Sequence, residues 1–216
     1  MLSGNHERTR ARRALLVFVL FGWISAAGVA HALPIINGSF QSGPAVGSFL
    51  TVGAGSTALT GWEVFGAGVD IVGTAWISSD GDRSLDLNAL ATGGVRQILD
   101  TVIGQAYQVR FDLSRNPAGS APSYALDVAA GAASETFTFT ATPTTGNMLW
   151  EERLFEFTAT STSTVLEFGS LVGGSGGPAL DNVRVDAVLP VPEPSTATLT
   201  LVALSGLAVL RKRRAS

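Results

Sequence analysis

Short runs of alternating apolar and polar residues fill the middle of the chain. From Tyr107 to Leu113 every second residue is apolar, and the residues between them are Gln108, Arg110 and Asp112. A period of two places apolar side chains on one face of a β-strand, whereas an amphipathic helix repeats about every 3.6 residues. The same alternation, bounded by Gly, Ser, Pro or Asn, recurs at residues 85–87, 136–140, 155–158, 166–168 and 183–187.

These runs predict an all-β domain. No part of residues 33–189 has a convincing helical repeat, and the glycine-rich stretches at residues 43–55 and 171–178 are typical of loops. About ten short strands, each with one apolar face, have to bury those faces against a second sheet. We therefore predict an antiparallel jelly-roll β-sandwich. Apolar runs near the two ends of the chain predict an N-terminal signal peptide and a C-terminal transmembrane helix that flank it.

The first 32 residues have the organisation of a secretory signal peptide. Four arginines between Arg8 and Arg13 precede an apolar run over residues 14–29, and the small residues Ala30 and Ala32 follow it. Signal peptidase reads small residues at these two positions, so we expect cleavage after Ala32. The alternative is a first transmembrane anchor, and the Ala-x-Ala site argues against it.

A second apolar run lies at the C-terminus, between a proline-rich segment and a basic cluster. The proline-rich segment is Val191, Pro192, Glu193 and Pro194, and its prolines favour an extended, accessible backbone. The run at residues 196–210 carries no charge. A helix over residues 195–210 would span about 24 Å, slightly less than a hydrocarbon core of about 30 Å. The basic cluster keeps its end of such a helix cytoplasmic; it consists of Arg211, Lys212, Arg213 and Arg214.

In this order, the three parts resemble the PEP-CTERM sorting signal of Gram-negative bacteria. The resemblance covers residues 190–216. It implies processing near the motif by exosortase, a membrane protease-transpeptidase. It also implies that the protein is exported, stays transiently in the inner membrane, and then reaches the cell surface or the extracellular matrix. An ordinary C-terminal membrane anchor behind a proline-rich hinge is the alternative.

Charge is distributed unevenly along the chain. Eight of the fourteen basic residues lie in the two ends, and the formal net charge of the whole chain is −3. Residues 33–190 contain six arginines, no lysine and fifteen acidic residues, which gives −9. Such a domain repels phosphate backbones, so we expect no nucleic-acid partner. The charge suits an exported protein or one that binds divalent cations.

Histidine and cysteine are missing from the part of the chain that remains after signal cleavage. The chain has no Cys, and both histidines, His6 and His31, lie in the predicted signal peptide. Ser-His-Asp triads, cysteine nucleophiles and histidine-ligated zinc are thereby excluded. A carboxylate pair, as in glycoside hydrolysis, is the remaining catalytic option, although acids at alternating strand positions are more often the solvated face of a sheet. The candidate acids are Asp80, Asp82, Asp86, Glu151 and Glu152.

Short motifs run through nearly the whole domain in a fixed order. By their order, residues 33–189 resemble the choice-of-anchor C family of bacterial surface proteins. They are also similar to the DUF642 cell-wall proteins of plants, which have galactose-binding-like β-sandwiches. The motifs are Asn-Gly-Ser-Phe at 37–40, Gly-Trp at 61–62, Val-Asp at 69–70, Asp-Gly at 80–81, Ser-Leu-Asp-Leu-Asn at 84–88, Phe-Asp-Leu at 111–113, Asn-Pro at 116–117, Asn-Met at 147–148 and Gly-Pro-Ala-Leu-Asp-Asn-Val at 177–183.

This resemblance implies a structural Ca²⁺ where the N-terminal and C-terminal strands meet. The ligands would be Asn37, Gln41 and Asp181. Calcium takes about six to eight oxygen ligands, which acidic loops such as residues 79–82 can supply. Gln41 stands where related sandwiches often have a carboxylate. The alternative is that Asp181 and Asn182 form only turn or side-chain-to-backbone hydrogen bonds.

Three tryptophans remain after signal cleavage. We assign Trp62 to the core, because tryptophan is highly buried on average. Trp76 and Trp150 are candidates for stacking on sugar rings, and core packing is the alternative for both.

Two functions follow from these observations. The first is an exported, non-enzymatic surface or extracellular-matrix protein that is sorted by exosortase and binds exopolysaccharide or cell-wall glycan. The second is a secreted carbohydrate-active enzyme that uses a carboxylate pair. Two carboxylates about 5–10 Å apart across a cleft would favour the enzyme. Dispersed acids on a convex sandwich would favour the binding protein.

Overall fold

Residues 35–188 form two β-sheets that pack face to face. The structure is a computed structural model, and it describes these residues. The predicted signal peptide at residues 1–32 and the predicted transmembrane helix at residues 196–210 lie outside them. Between residues 35 and 188 no helix is long and apolar enough to cross a membrane.

All strand pairs within the two sheets are antiparallel, so the predicted all-β sandwich is confirmed. One sheet has six strands in the order β1-β3-β4-β11-β6-β9, and the other has five in the order β2-β5-β10-β7-β8. The strands are β1 (Phe49–Val52), β2 (Glu63–Gly66), β3 (Val69–Val72), β4 (Ser84–Asp86), β5 (Gly93–Asp100), β6 (Ala106–Arg115), β7 (Tyr124–Ala130), β8 (Ala133–Phe139), β9 (Glu151–Thr158), β10 (Ser163–Ser170) and β11 (Pro178–Ala187).

The core lies between the two sheets and follows from the alternation in the sequence. Strand β6 shows this most clearly, because every second side chain from Tyr107 to Leu113 is buried. Phe111 in the six-stranded sheet meets Phe168 in the five-stranded sheet with ring centroids 5.3 Å apart. The interplanar angle of 74° is the edge-to-face arrangement that aromatic pairs prefer. Trp62 is buried in the same core, as predicted.

A bulge in β11 anchors the N-terminal segment to the sandwich. The register between β11 and β6 shifts between Asp181 and Arg184, where Asn182 has a φ of 53°. The backbone N–H of Val183 then donates to the carbonyl oxygen of Gly38 at 2.9 Å. The bulge therefore joins residues near the two ends of the described chain.

The outer face of the six-stranded sheet carries a row of polar side chains. Thr51 on β1 lies opposite Asp70 on β3, and Asp70 lies opposite Asp86 on β4. A small apolar cluster covers the neighbouring part of this face. Its buried members are Val72, Trp76, Met148 and Ala179, with Ala75 and Trp150 packed against them.

Candidate functional site

A groove crosses the outer face of the six-stranded sheet. Its central cavity, of about 460 Å³, has the polar row Thr51, Asp70 and Asp86 among its lining residues. Phe49 and Trp76 also line this cavity. Phe49 is 57% exposed, which makes it the one strongly exposed aromatic side chain in residues 35–188. The cavity therefore combines an apolar ring with hydrogen-bonding side chains.

Asp86 is a buried carboxylate that accepts hydrogen bonds from three N–H donors. Its Oδ1 accepts the backbone N–H groups of Asn88 at 2.9 Å and Gly177 at 2.8 Å, and its Oδ2 accepts Nδ2 of Asn116 at 2.7 Å. Desolvation by burial raises the pKa of Asp86 to about 7, because it outweighs these hydrogen bonds, and the nearby Asp70 raises it further. No arginine in residues 35–188 forms a salt bridge with it.

Asp70 offers an accessible hydrogen-bond acceptor next to Asp86. Thr51 donates its hydroxyl to Oδ1 of Asp70 at 2.5 Å. Within the described residues no donor reaches the second oxygen of this carboxylate. Burial raises the pKa of Asp70 as well, although the bond from Thr51 opposes the shift. A ligand hydroxyl in the central cavity could therefore donate to Asp70.

Two further cavities share lining residues with the central one. The first, the glycine-loop cavity, measures about 360 Å³ and shares Asn116, Ala118 and Ser175 with the central cavity. The second measures about 600 Å³ and shares Trp76 with it. The central cavity and the two cavities that adjoin it together give the groove room for several linked units of a chain.

The predicted calcium ligands lie where the 79–83 loop meets the bulge in β11. Oδ2 of Asp181 accepts the backbone N–H groups of Ser79 at 2.8 Å and Asp80 at 3.0 Å, and Oδ1 accepts that of Asn182 at 2.7 Å. Burial raises the pKa of Asp181 to about 6, since desolvation outweighs these bonds. Asn37 instead bonds the backbone of Ser42 at 2.8 Å.

The side-chain amide of Gln41 places an N–H donor where a calcium ion would need only oxygen ligands. Its Nε2 donates to the carbonyl oxygens of Ser39, Asp80 and Arg83 at 2.5, 3.3 and 3.4 Å. A cation could bind these oxygens only if the amide turned away. As arranged here, the residues form the hydrogen-bonded alternative, and calcium binding by them stays a prediction. Elsewhere in residues 35–188 no group of three or more acidic side chains could hold a metal.

The two candidate tryptophans occupy different positions. Trp76 is 7% exposed, donates Nε1 to the hydroxyl of Ser84 at 2.8 Å, and lines both the central cavity and the one beyond it. Trp150 is half-buried and donates Nε1 to the carbonyl oxygen of Ile77 at 3.0 Å. It packs on the small apolar cluster and is not among the residues that line the central cavity.

Of the five candidate acids, Asp86 alone lines the central cavity. Asp80 and Asp82 are exposed on a loop. Glu151 pairs with Arg153, and Glu152 pairs with one arginine on β6 and one on β11. Sequence reasoning did not single out Phe49, Asp70 and Asn116 as site residues. The available signal was an aspartate within each of two apolar strand motifs, at residues 69–72 and 84–87.

Comparison with solved structures finds carbohydrate-binding modules. A family 35 module from Clostridium thermocellum is 13% identical with a TM-score of 0.45, covering 64% of this chain and 98% of its own. A family 16 module is 15% identical with a TM-score of 0.47, covering 70% and 97%. A third module, TmCBM61 in complex with β-1,4-galactotriose, is 13% identical with a TM-score of 0.43, covering 73% and 100%.

Sequence comparison gives one relative and one family. Halomucin of Haloquadratum walsbyi is 32% identical over 178 residues, which cover 79% of this chain. The chain spans 2% of the length of halomucin. The model of the family described as "Protein of unknown function (DUF642)" matches residues 33–186. Because this match takes in the whole sandwich as far as the last residues of β11, the chain belongs to the DUF642 family.

Proposed function

We propose that this domain binds a polysaccharide in the groove of the six-stranded sheet. The observation that carries the proposal is the exposed ring of Phe49 beside the carboxylates of Asp70 and Asp86 in one cavity. Sugar rings present apolar faces that stack on aromatic side chains, and their hydroxyl groups pair with carboxylates and amides. The two cavities that adjoin the central one favour a chain of sugars over a single one.

Binding without cleavage is the better interpretation of the carboxylates. Asp70 and Asp86 lie side by side on one face of the sheet, and both oxygens of Asp86 already accept N–H groups. A glycosidase instead needs two carboxyl groups that flank the scissile bond. Hydrolysis stays the second candidate, because the pair is close and the pKa of Asp86 is raised to about 7, as a general acid requires.

The signals predicted at the two ends of the chain support binding outside the cell. We propose that signal peptidase cleaves after Ala32 and that exosortase processes the segment around Glu193, so the protein reaches the cell surface or extracellular matrix of a Gram-negative bacterium. The basic cluster at residues 211–214 holds the C-terminal end in the inner membrane until then. We also propose that the domain belongs to the choice-of-anchor C group of bacterial surface proteins.

The test is binding of the full chain, in a non-glycosidic detergent, to an array of bacterial and plant polysaccharides. Phe49→Ala should weaken binding by about tenfold, the loss expected for one aromatic stacking contact. Ile98→Ala is the matched control, because Ile98 is 68% exposed on the opposite sheet. If Ile98→Ala alone lost binding, or if neither variant lost it, the groove would not be the binding site. Shortened oligosaccharides after incubation would establish hydrolysis instead.

A further inference from the structure

Residues of the loop between β10 and β11 line the glycine-loop cavity. Buried Asn88 donates Nδ2 to the carbonyl oxygens of Val172 and Gly174, both at 2.7 Å. The N–H of a trans peptide points opposite to its C=O, so those of Gly173 and Ser175 point away from Asn88. Both residues line the cavity, and neither N–H has an acceptor within residues 35–188.

More donors surround the same cavity, and no acid does. The N–H groups of Gly176 and Ser120 also have no acceptor in the described part of the chain. Ser120 and Ser175, which each carry a hydroxyl group, are among the lining residues. No lining residue is acidic, although residues 33–190 carry −9 overall. Consecutive free N–H groups in a glycine-rich loop form a concave site for anions.

A buried positive charge lies behind the wall of the cavity. Arg115 is 8% exposed, and its guanidinium carbon lies 5.0 Å from the centre of the Tyr124 ring. Its Nη1 donates to the carbonyl oxygen of Ala121 at 3.0 Å, while its Nε is buried without an acceptor. Tyr124 and Ala121 both line the cavity. No carboxylate within residues 35–188 forms a salt bridge with Arg115. Burying an unpaired charge is costly, so an anion in the cavity would offset this cost.

We propose that the glycine-loop cavity binds the oxyanion of an acidic sugar, either a carboxylate or a sulfate ester. This inference rests on the proposed function, since the acidic sugar belongs to the glycan in the groove. The adjoining central cavity holds Asp70 and Asp86, which repel a second negative group. The ligand class is therefore a polysaccharide in which acidic sugars alternate with neutral ones, rather than a polymer charged at every unit.

Inorganic sulfate tests the anion site without any glycan. In the full chain labelled with ¹⁵N, sulfate should shift the amide signals of Gly173 and Ser175 saturably. Ser120→Asp places a negative charge in the cavity and should abolish the shifts. Ser134→Asp makes the same charge change on exposed β8 and should leave them intact. If sulfate left the amide signals of Gly173 and Ser175 unmoved, the anion site would be refuted. Equal loss of the sulfate-induced shifts in both variants would also refute it.

Matched oligosaccharides then separate the anion site from the proposed function. At low salt, a glycan that alternates acidic and neutral sugars should bind roughly tenfold tighter than its neutral counterpart, a ratio expected for one charge-assisted contact. Ser120→Asp should bring that ratio to about one, while Phe49→Ala should weaken both ligands equally. The same comparison, made once with uronate sugars and once with sulfate esters, shows which oxyanion the cavity binds. Equal binding of charged and neutral glycans would overturn the inference and leave the groove standing. Sulfate shifts without glycan binding would overturn the proposed function, and the acidic-sugar inference with it, and would leave only an anion site.

Discussion

Asp70 and Asp86 lie directly opposite each other on neighbouring antiparallel strands, and both line the central cavity. Side chains in this relation have Cβ atoms about 4.5–5.5 Å apart, so two charged carboxylates repel each other. Within residues 35–188 neither carboxylate has a salt-bridge partner. Above the pKa of Asp86 the sandwich therefore holds two like charges together at its groove, which affects its stability.

We predict that the protein is more stable at pH 5 than at pH 8. Desolvation raises the pKa of Asp86 from 3.8 to about 7, and it raises the pKa of Asp181 to about 6. The folded state thus holds these protons more tightly than the unfolded state does. The free energy of unfolding should fall as pH rises from about 4 to about 7 and level off above, at about 1.4 kcal/mol per pKa unit.

Urea unfolding at pH 4 to 8 measures this slope. Asp86→Asn removes the titrating group and should make the dependence shallower, whereas Asp100→Asn, at an exposed position on β5, should leave it unchanged. A stability that rises between pH 5 and pH 7 in the wild type would contradict the prediction.

A second prediction concerns the contact between the N-terminal segment and the bulge in β11. A Cβ on Gly38 would lie well inside the van der Waals distance of the carbonyl oxygen of Val183. Because that atom belongs to the backbone, it cannot easily move, and we expect Gly38→Ala to lower the free energy of unfolding by about 2–3 kcal/mol. Gly47→Ala, where a Cβ meets nothing within 4 Å, is the control and should change little. Equal melting temperatures of the two variants would show that the segment is not held at the bulge.

The sandwich could be predicted from the sequence because burial on one face leaves a local pattern. The alternation from Tyr107 to Leu113 predicts β6 and its buried side chains correctly. Strands β1 and β3, at an edge of the six-stranded sheet, have four residues each, too few for such a pattern to stand out.

The groove could not be predicted in the same way. Asp70 and Asp86 are sixteen positions apart in the chain, and only the pairing of β3 with β4 makes them neighbours. Register depends on contacts that are distant in sequence, which a local pattern does not record. Phe49 appears in the sequence as an ordinary apolar residue, and its exposure follows from its position on an edge strand.

The hydrogen bonds of Gln41 give the calcium prediction a direct test. Replacing its amide with a carboxylate would put an oxygen among three carbonyl oxygens, which are ligands that calcium prefers. We expect millimolar Ca²⁺ to raise the melting temperature of Gln41→Glu more than that of the wild type, since ligand binding to the folded state stabilises it. Gln105→Glu is the control, because its amide also donates to backbone carbonyls. If chelator and Ca²⁺ leave all three proteins unchanged, these oxygens do not form a calcium site.

The last prediction concerns the two ends of the chain, which lie outside the described residues. Both basic blocks, at residues 8–13 and 211–214, flank apolar segments and should stay on the cytoplasmic side. The sandwich between them then lies outside, held by two membrane passages until both ends are cut. Glu193→Ala should leave export intact but trap an uncut, membrane-bound form, because the processing segment is altered while the span at residues 196–210 is unchanged. Cell fractionation with mass measurement of the mature C-terminus distinguishes the two forms.

Deleting residues 211–214 should have a different effect from Glu193→Ala. Without the basic cluster the short span loses the charges that fix its orientation, so uncut precursor should escape from the membrane rather than accumulate in it. The cleaved N-terminus should be the same in both variants, because the signal-peptide site at Ala30 and Ala32 is untouched. A released wild-type protein that still carries Leu210 would rule out processing at Glu193 and establish a plain membrane anchor.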